Sequence, residues 1–144
     1  MEKVVFLDVD GVIKPMLSKF KPVKEGLSSS CLICLKRLIR ATGAVIVLSS
    51  TWRNHPKPCE LLTGALERFG LSFVSVTPTA SSIYATRGTE ITEWLLEHPK
   101  TERYVILDDY PKEQFEGHEN HFVEINFKTG LTMEHVEKAI EILN

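Results

Sequence analysis

Hydrophobic positions along the chain fall into short continuous runs that alternate with longer amphipathic stretches. The continuous runs are rich in β-branched residues and predict buried strands at 3–9, 44–48, 71–76, 104–107 and 121–125. The amphipathic stretches have apolar residues at helical spacing and predict helices within 28–43, 56–70, 88–97 and 132–143. This alternation predicts a parallel α/β sheet with helices on both faces.

Polar residues and turn formers mark the ends of the predicted helices. A serine of 28–30 is expected to cap the first helix, Gly43 to end it, and Thr132 to cap the last helix. Pro56 and Pro58 suit the first turn of the second helix. The pattern contains no internal repeat and no low-complexity linker.

Length and composition indicate an ordinary globular protein. With 144 residues, 43% hydrophobic and 25% charged, we expect one domain over 1–144. The formal net charge of −2 argues against nonspecific binding of a nucleic-acid backbone, although a local basic patch can still bind a phosphate. No stretch approaches the roughly 20 apolar residues that cross a bilayer, and the N-terminus runs directly into a strand. We therefore expect a cytoplasmic protein without membrane association.

The chain has three cysteines, and burial explains two of them, Cys31 and Cys34. Cys31 and Cys34 lie one helical turn apart in an apolar segment. Together with Cys59 and His55 they could ligate zinc, but their spacing matches no established zinc pattern. The sequence therefore favours a structural role.

Polar residues follow three of the predicted strands. In open α/β sheets, ligands bind beyond the carboxyl ends of the strands, so these residues are expected to converge on one site. They are Asp8 and Asp10, Ser49 and Ser50, and Asp108 and Asp109.

The first of these pairs indicates a cation site. Residues at i and i+2 of an extended chain share a face, so Asp8 and Asp10 would repel each other unless a cation or a proton intervenes. Oxygen ligands of this kind favour Mg²⁺, and Asp108 or Asp109 would complete the set. Gly11 permits the sharp turn by which the chain leaves the strand.

These residues also resemble the motifs of a known family. Residues 8–12 (Asp-Val-Asp-Gly-Val) are similar to the first motif of the haloacid dehalogenase superfamily. Ser49, after the hydrophobic strand 45–48, is similar to the second motif, and 106–109 to the acidic fourth. Order and spacing agree over essentially the whole chain. The resemblance implies a three-layer Rossmann-like fold and a Mg²⁺-dependent phosphatase.

The resemblance also implies a role for each matching residue. Asp8 would attack the phosphorus to form an aspartyl-phosphate, and Asp10 would act as general acid and base. Mg²⁺ would be held by Asp8, Asp108 or Asp109, and the carbonyl of Asp10. Ser49 would donate a hydrogen bond to a phosphoryl oxygen. Ser50 is the alternative hydroxyl at this position.

The sequence departs from the family at the third motif, which is normally a lysine. Arg87, just before the helix 88–97, is the candidate replacement, with Lys100 as the alternative. Arg53 could clamp a phosphate through two hydrogen bonds. Residues 48–53 and 87–91 look most like the small haloacid dehalogenase-type domains of RNA-repair proteins and of phage polynucleotide 3′-phosphatases.

The spacing of the motifs leaves no room for a substantial cap domain. Only 17 residues, 11–27, separate Asp10 from Ser28, and 54–86 already contain one helix and one strand. An open site fits a bulky phosphorylated substrate, such as an oligonucleotide end or a protein phosphoester. Lysines of the first loop either flank the mouth of this site or are simply solvated: Lys14, Lys19, Lys21 and Lys24.

Two other functions compete with the phosphatase. A receiver-type phosphoacceptor module also combines acidic residues, a hydroxyl and a cation, but its acceptor aspartate should end a middle strand, where Ser49 stands here. A noncatalytic binding module would have no need for both Asp8 and Asp10. Trp52 and Trp94 are predicted to be packing residues.

Overall fold

A computed structural model describes residues 2–16 and 26–144, in which five parallel strands form one sheet. The strands are β1 (Glu2–Leu7), β2 (Val45–Leu48), β3 (Phe73–Val76), β4 (Thr101–Asp108) and β5 (Phe122–Glu124). Their order across the sheet is β3-β2-β1-β4-β5, and every neighbouring pair is parallel. β1, the first strand of the chain, therefore lies in the centre of the sheet.

Helices cover both faces of this sheet. The α-helices of the described residues are α1 (Ser29–Thr42), α2 (Pro56–Glu67), α3 (Arg87–Glu97) and α4 (Met133–Leu143). Short 3-10 turns occupy Thr51–Asn54, Lys112–Phe115 and Glu119–His121.

Alternate residues of β1 supply two separate cores. Val5 and Leu7 pack with buried residues of α1, α2 and α4, whereas Val4 and Phe6 pack with α3 and with Phe115. All four are fully buried, because each face of a central parallel strand is covered by a helical layer. The predicted three-layer α/β fold is confirmed, and no cap domain is inserted in the described residues.

The predicted caps are also present. The Ser28 hydroxyl accepts a hydrogen bond from the Cys31 amide at 3.3 Å, and Gly43 ends α1 with φ +71°. Thr132 begins α4 in a capping box with His135. The largest error in a strand boundary is at β4, which begins at Thr101 and not at residue 104, because its polar first residues pair with the start of β1.

Close packing at the N-terminus of α3 requires a glycine. A Cβ atom on Gly88 would lie 2.6 Å from the carbonyl oxygen of Gln114. Buried His118 strengthens the same contact: its Nε2 lies 3.0 Å from the Gly88 carbonyl, and its Nδ1 lies 2.8 Å from the Tyr104 hydroxyl. An Nε2–H tautomer satisfies both groups, so His118 ties α3 to β4.

We expect Gly88→Ala to lower the free energy of unfolding by about 1–3 kcal/mol, the usual effect of overpacking. Gly64 in α2 is the matched control, because a Cβ there would meet nothing within 4 Å. Gly64→Ala should instead raise stability by about 0.5–1 kcal/mol, since alanine is the better helix former. Urea unfolding of both variants measures this difference, and equal effects would contradict the close approach.

Candidate active site

The register of the sheet brings three strand ends together. The Asp8 amide donates to the Leu107 carbonyl at 3.1 Å, and the Ser49 amide donates to the Leu7 carbonyl at 2.8 Å. Asp8, Ser49 and Asp108 therefore lie side by side at the carboxyl edge of the central strands, as the sequence predicts.

The aspartates form a compact acidic cluster. The chain has four aspartates, and all of them lie at the ends of β1 and β4. Carboxylate oxygens of Asp8, Asp108 and Asp109 lie within 4.8 Å of one another. Asp8 and Asp108 are buried, with 2% and 0% of their surface exposed. Such a set is stable only with positive charge or protons nearby.

Arg87 supplies part of that positive charge. Its Nη1 atom lies 3.0 Å from Asp8 Oδ1 and 2.8 Å from Asp108 Oδ2. The capping box of Thr86 and Thr89 begins α3 at Arg87. The cation predicted for the third motif is thus delivered by the first residue of a helix.

One arginine does not neutralise the cluster. Burial, and then the charge of Asp108, raise the pKa of Asp8 from 3.8 to about 9, and the opposing effect of Arg87 is smaller. Burial also raises the pKa of Asp108. Asp8 is therefore mainly protonated near neutral pH unless a further cation is present.

The donor set fits a divalent cation. It consists of carboxylate oxygens, which are the ligands that Mg²⁺ prefers, and Asp109 Oδ1 is buried without a hydrogen-bond partner. Gly11 makes room for this side chain: with φ +82°, a Cβ there would lie 2.4 Å from Asp109 Oδ2. The acidic cluster could thus hold a metal ion.

Asp10 stands apart from this cluster. Its side chain is exposed, and its Oδ2 accepts a hydrogen bond of 3.0 Å from the Trp52 indole. The predicted metal ligand at this position is the backbone carbonyl, which stays a prediction.

The two serines after β2 differ in their hydrogen bonds. Ser49 Oγ is buried and has no partner among the described residues. Ser50 Oγ accepts a hydrogen bond from the Trp52 amide at 3.2 Å and so caps the 3-10 turn Thr51–Asn54. Only the Ser49 hydroxyl has its hydrogen-bonding capacity unused.

Arg53 is engaged in a structural bridge. Its side chain is 5% exposed, and its Nη1 donates to the Ser50 carbonyl at 2.6 Å. Its Nη2 lies 3.0 Å from Glu90 Oε1, while Glu90 Oε2 accepts from the Ala80 amide at 3.0 Å. Arg53 thereby connects the end of β2 to α3 and to the loop 77–86, and any contact with a phosphate would share this guanidinium.

The remaining predicted residues lie elsewhere. Lys100 precedes β4 at its amino end and so faces the opposite edge of the sheet from Asp108. Lys14 Nζ lies 5.7 Å from the centroid of the Trp52 ring. Lys19, Lys21 and Lys24 lie outside the described residues.

A zinc site is not supported. Within the described parts of the chain, the acidic cluster is the only group of three or more potential metal-ligating side chains. Cys31, Cys34 and Cys59 are free cysteines, and His55 joins no such group with them.

A polar cavity of about 230 Å³ adjoins Arg87. The Tyr110 ring forms part of its wall and lies 4.0 Å from Arg87 Cζ. The lining is rich in neutral hydrogen-bonding side chains: Thr51, Asn54, Thr79, Ser82, Thr86 and Gln114. Arg53 and Glu90 also line the cavity, and they are paired with each other. The cavity is therefore suited to a polar group attached to whatever Arg87 binds.

Sequence reasoning missed Tyr110, Glu90 and the contact of Trp52 with Asp10. Tyr110 directly follows the acidic motif, which is the one signal that could have drawn attention to it. The Trp52 ring does pack partly against the core, so the packing prediction was incomplete rather than wrong. Trp94 is a packing residue, with its ring edge-on to Phe6.

The fold and the cluster together define the class of protein. The fold has three layers around a parallel sheet, and its central strands end in buried aspartates and a serine, with an arginine paired to the aspartates. This is the arrangement of a haloacid dehalogenase-type domain. The chain belongs to the family described as the HAD domain in Swiss Army Knife RNA repair proteins, whose model matches residues 4–136. Membership suggests a phosphatase-like function.

Other comparisons add no relative. No curated protein and no solved structure shows a significant match to the chain. Among the helices of the described residues, none has the length and apolarity that crossing a bilayer requires.

The raised pKa of Asp8 predicts how pH affects metal-free protein. Because the native state binds this proton more tightly than the unfolded chain, stability should fall as pH rises from 3.8 to about 9. Asp8→Asn should remove the contribution of Asp8 to this fall and raise Tm at pH 8 in EDTA, by roughly 2–4 °C for each 1 kcal/mol gained. Thermal unfolding across pH measures both effects.

Asp10→Asn is the matched control, since its carboxylate is exposed and lies outside the acidic cluster. It should leave the pH dependence as in the wild type. A lower Tm for Asp8→Asn than for the wild type at pH 8 in EDTA would contradict the view that the metal-free acidic cluster carries excess negative charge.

Proposed function

We propose that this protein is a Mg²⁺-dependent phosphatase that hydrolyses a phosphomonoester through an aspartyl-phosphate on Asp8. The observation that carries the proposal is the Asp8 carboxylate, 3.0 Å from the Arg87 guanidinium and beside the unpartnered hydroxyl of Ser49. A nucleophile next to a cation and a free hydrogen-bond donor is what attack on a phosphate group requires.

Asp8 and Asp10 divide the chemistry between them. Asp8 forms a bond to phosphorus while the bond to the leaving oxygen breaks, and Asp10 gives that oxygen a proton. Asp10 then takes a proton from the water that attacks the aspartyl-phosphate. Inorganic phosphate leaves and the Asp8 carboxylate is restored, so the cycle balances without any other reactant.

The other residues of the site offset the negative charge of the carboxylates and the phosphate. Asp8, Asp108, Asp109 and the Asp10 carbonyl would hold Mg²⁺, which when bound reduces the repulsion between the carboxylate and the phosphate. Arg87 and Ser49 contact the phosphoryl oxygens, where charge is spread during transfer.

Ser50 and Arg53 remain predicted phosphate ligands of lower rank. The Ser50 hydroxyl already caps a turn, and Arg53 already pairs with Glu90. We expect their main effect to be on the position of the loop that follows Ser49.

We further propose a nucleic-acid end as the substrate. The family occurs in RNA repair proteins. No domain is inserted over the site in the described residues, and the cavity beside Arg87 presents hydroxyl and amide groups. Such groups suit the sugar and base edges of one nucleotide, and the volume is below the roughly 300–1,000 Å³ of sites that enclose a whole small molecule.

Asp8→Asn should abolish turnover of p-nitrophenyl phosphate in Mg²⁺, by a factor on the order of 10⁴ or more, as for the loss of a nucleophile elsewhere. EDTA should abolish wild-type activity, and Mg²⁺ should restore it. Beryllium fluoride, which mimics a phosphoryl group on a carboxylate, should raise the Tm of the wild type but not of Asp8→Asn.

The control is Lys100→Met, which removes a cation at the far edge of the sheet and should keep full activity. Wild-type protein that turns over no phosphoester in Mg²⁺ would favour the noncatalytic module instead. Activity that survives in Asp8→Asn would exclude the aspartyl-phosphate.

Thr79→Val tests the cavity as the place of the nucleotide. The variant removes a lining hydroxyl and nearly preserves volume, so kcat/KM for a phosphorylated oligoribonucleotide should fall about 2- to 10-fold, as for one lost hydrogen bond. Activity on p-nitrophenyl phosphate should not change. Steady-state kinetics with 3′- and 5′-phosphorylated oligonucleotides measures the ratio.

Thr63→Val in α2 is the matched control, because its hydroxyl bonds within the helix and lines no part of the cavity. It should leave both activities unaltered. Exclusive activity on a small sugar phosphate would argue against the nucleic-acid substrate while leaving the chemistry of Asp8 intact.

A further inference from the structure

Trp52 makes a contact that its packing does not explain. Its Nε1 donates a 3.0 Å hydrogen bond to Asp10 Oδ2. Asp10 is exposed, so water could satisfy the carboxylate equally well, and a hydrogen bond in such a place adds little to stability. The contact therefore needs a reason other than folding.

The backbone around Asp10 is already fixed without the indole. The Gly11 amide donates to the Lys14 carbonyl at 3.0 Å, and the amides of Val12 and Ile13 donate to the Val9 carbonyl. This tight turn sets the position of the Asp10 Cα but leaves the rotation of its side chain open. The hydrogen bond from Trp52 is what fixes that rotation among the described residues.

Trp52 is itself held in place from two sides. Its amide is bonded to Ser50 Oγ at 3.2 Å, which anchors the residue to the end of β2. Lys14 Nζ lies 5.7 Å from the ring centroid, within the range of a cation–π contact. The indole therefore links the end of β2 to the loop after β1.

The direction of the hydrogen bond has a chemical consequence. An indole N–H can only donate, so Oδ2 of Asp10 accepts. The carbonyl oxygen of a carboxyl group is a better acceptor than its hydroxyl oxygen, so this hydrogen bond favours the proton on Oδ1. An acid whose proton is confined to one oxygen transfers it in one direction only. Orientation of this kind is what a general acid requires.

We infer that Trp52 is a positioning residue that orients Asp10 so that Oδ1 carries the proton to the leaving group. The inference rests on the proposed function, because it needs Asp10 as the general acid. It gives a catalytic purpose to a residue that the sequence predicted only to pack.

The test is the dependence of rate on the leaving group. Trp52→Phe keeps an aromatic ring but removes the N–H. Release of the leaving group is followed in single turnovers, because it precedes the attack of water, which is the same for every substrate. Trp52→Phe should slow this release less than about 3-fold for p-nitrophenyl phosphate, whose leaving group needs no proton, and about 10- to 100-fold for an alkyl phosphate, within the range of general acid catalysis. KM should stay the same for both, since Trp52 lines no part of the cavity beside Arg87.

The same substitution in an Asp10→Asn background separates positioning from packing. If Trp52 acts through Asp10, Trp52→Phe should cause no further loss on the alkyl phosphate in that background. A packing role would lower both activities, in both backgrounds, by similar factors. Trp94→Phe is the matched control: it loses a buried N–H bonded to Ser75 Oγ and should lower Tm without any dependence on the leaving group.

The outcomes distinguish the inference from the function beneath it. If Asp10→Asn lowers the rate on the alkyl phosphate far more than on the aryl phosphate but Trp52→Phe does not, the positioning role is overturned and the proposed function stands. If Asp10→Asn slows the release of both leaving groups equally, Asp10 is not the general acid, and the roles proposed for Asp10 and Trp52 fall together, whereas the nucleophile Asp8 is tested separately.

Discussion

The site depends on repulsion between buried carboxylates that the sheet does not allow to separate. Asp8 follows β1 and Asp108 ends β4. The two strands are paired in register from Lys3 opposite Arg103 to Leu7 opposite Leu107. Both strands are buried in the centre of the sheet, so neither end can move outward to relieve the charge. Protonation, Arg87 and a bound cation are the remaining ways to neutralise the pair. The fold thus creates the demand for positive charge that the proposed chemistry uses.

Arg87 can meet this demand only because several contacts outside the sheet hold it in place. Its amide is bonded to Gln114 Oε1 at 3.3 Å, and the Tyr110 ring lies 4.0 Å from its Cζ. Close packing at Gly88 brings the start of α3 against the turn that follows β4. Because Arg87 is the first residue of α3, the helix fixes its backbone, and the two carboxylates fix its guanidinium.

The sequence could predict whatever depends on local pattern. The continuous apolar run of β1 and the four aspartates at two strand ends indicated the fold and the site directly, because burial and alternation are properties of neighbouring residues. The contacts between loops were not predictable in this way. Trp52 and Asp10 are 42 positions apart, and Arg53 meets Glu90 of another element. Such pairs depend on how the loops pack at the ends of the strands, which the periodicity of the sequence does not predict.

The open edge of the sheet also bears on how water would be excluded during the proposed reaction. With no inserted domain in the described residues, the walls near Arg87 come from the loop 77–86, held by the Arg53–Glu90 pair. This loop exposes Ile83 and Tyr84 by 89% and 85%, an apolar tip that a folded monomer would normally bury. A substrate large enough to reach this tip would also cover the cavity that the same loop lines beside Arg87. Electrostatic interactions around Arg87 would then strengthen as water leaves. In a domain without a cap, a larger substrate would therefore react faster than a small one.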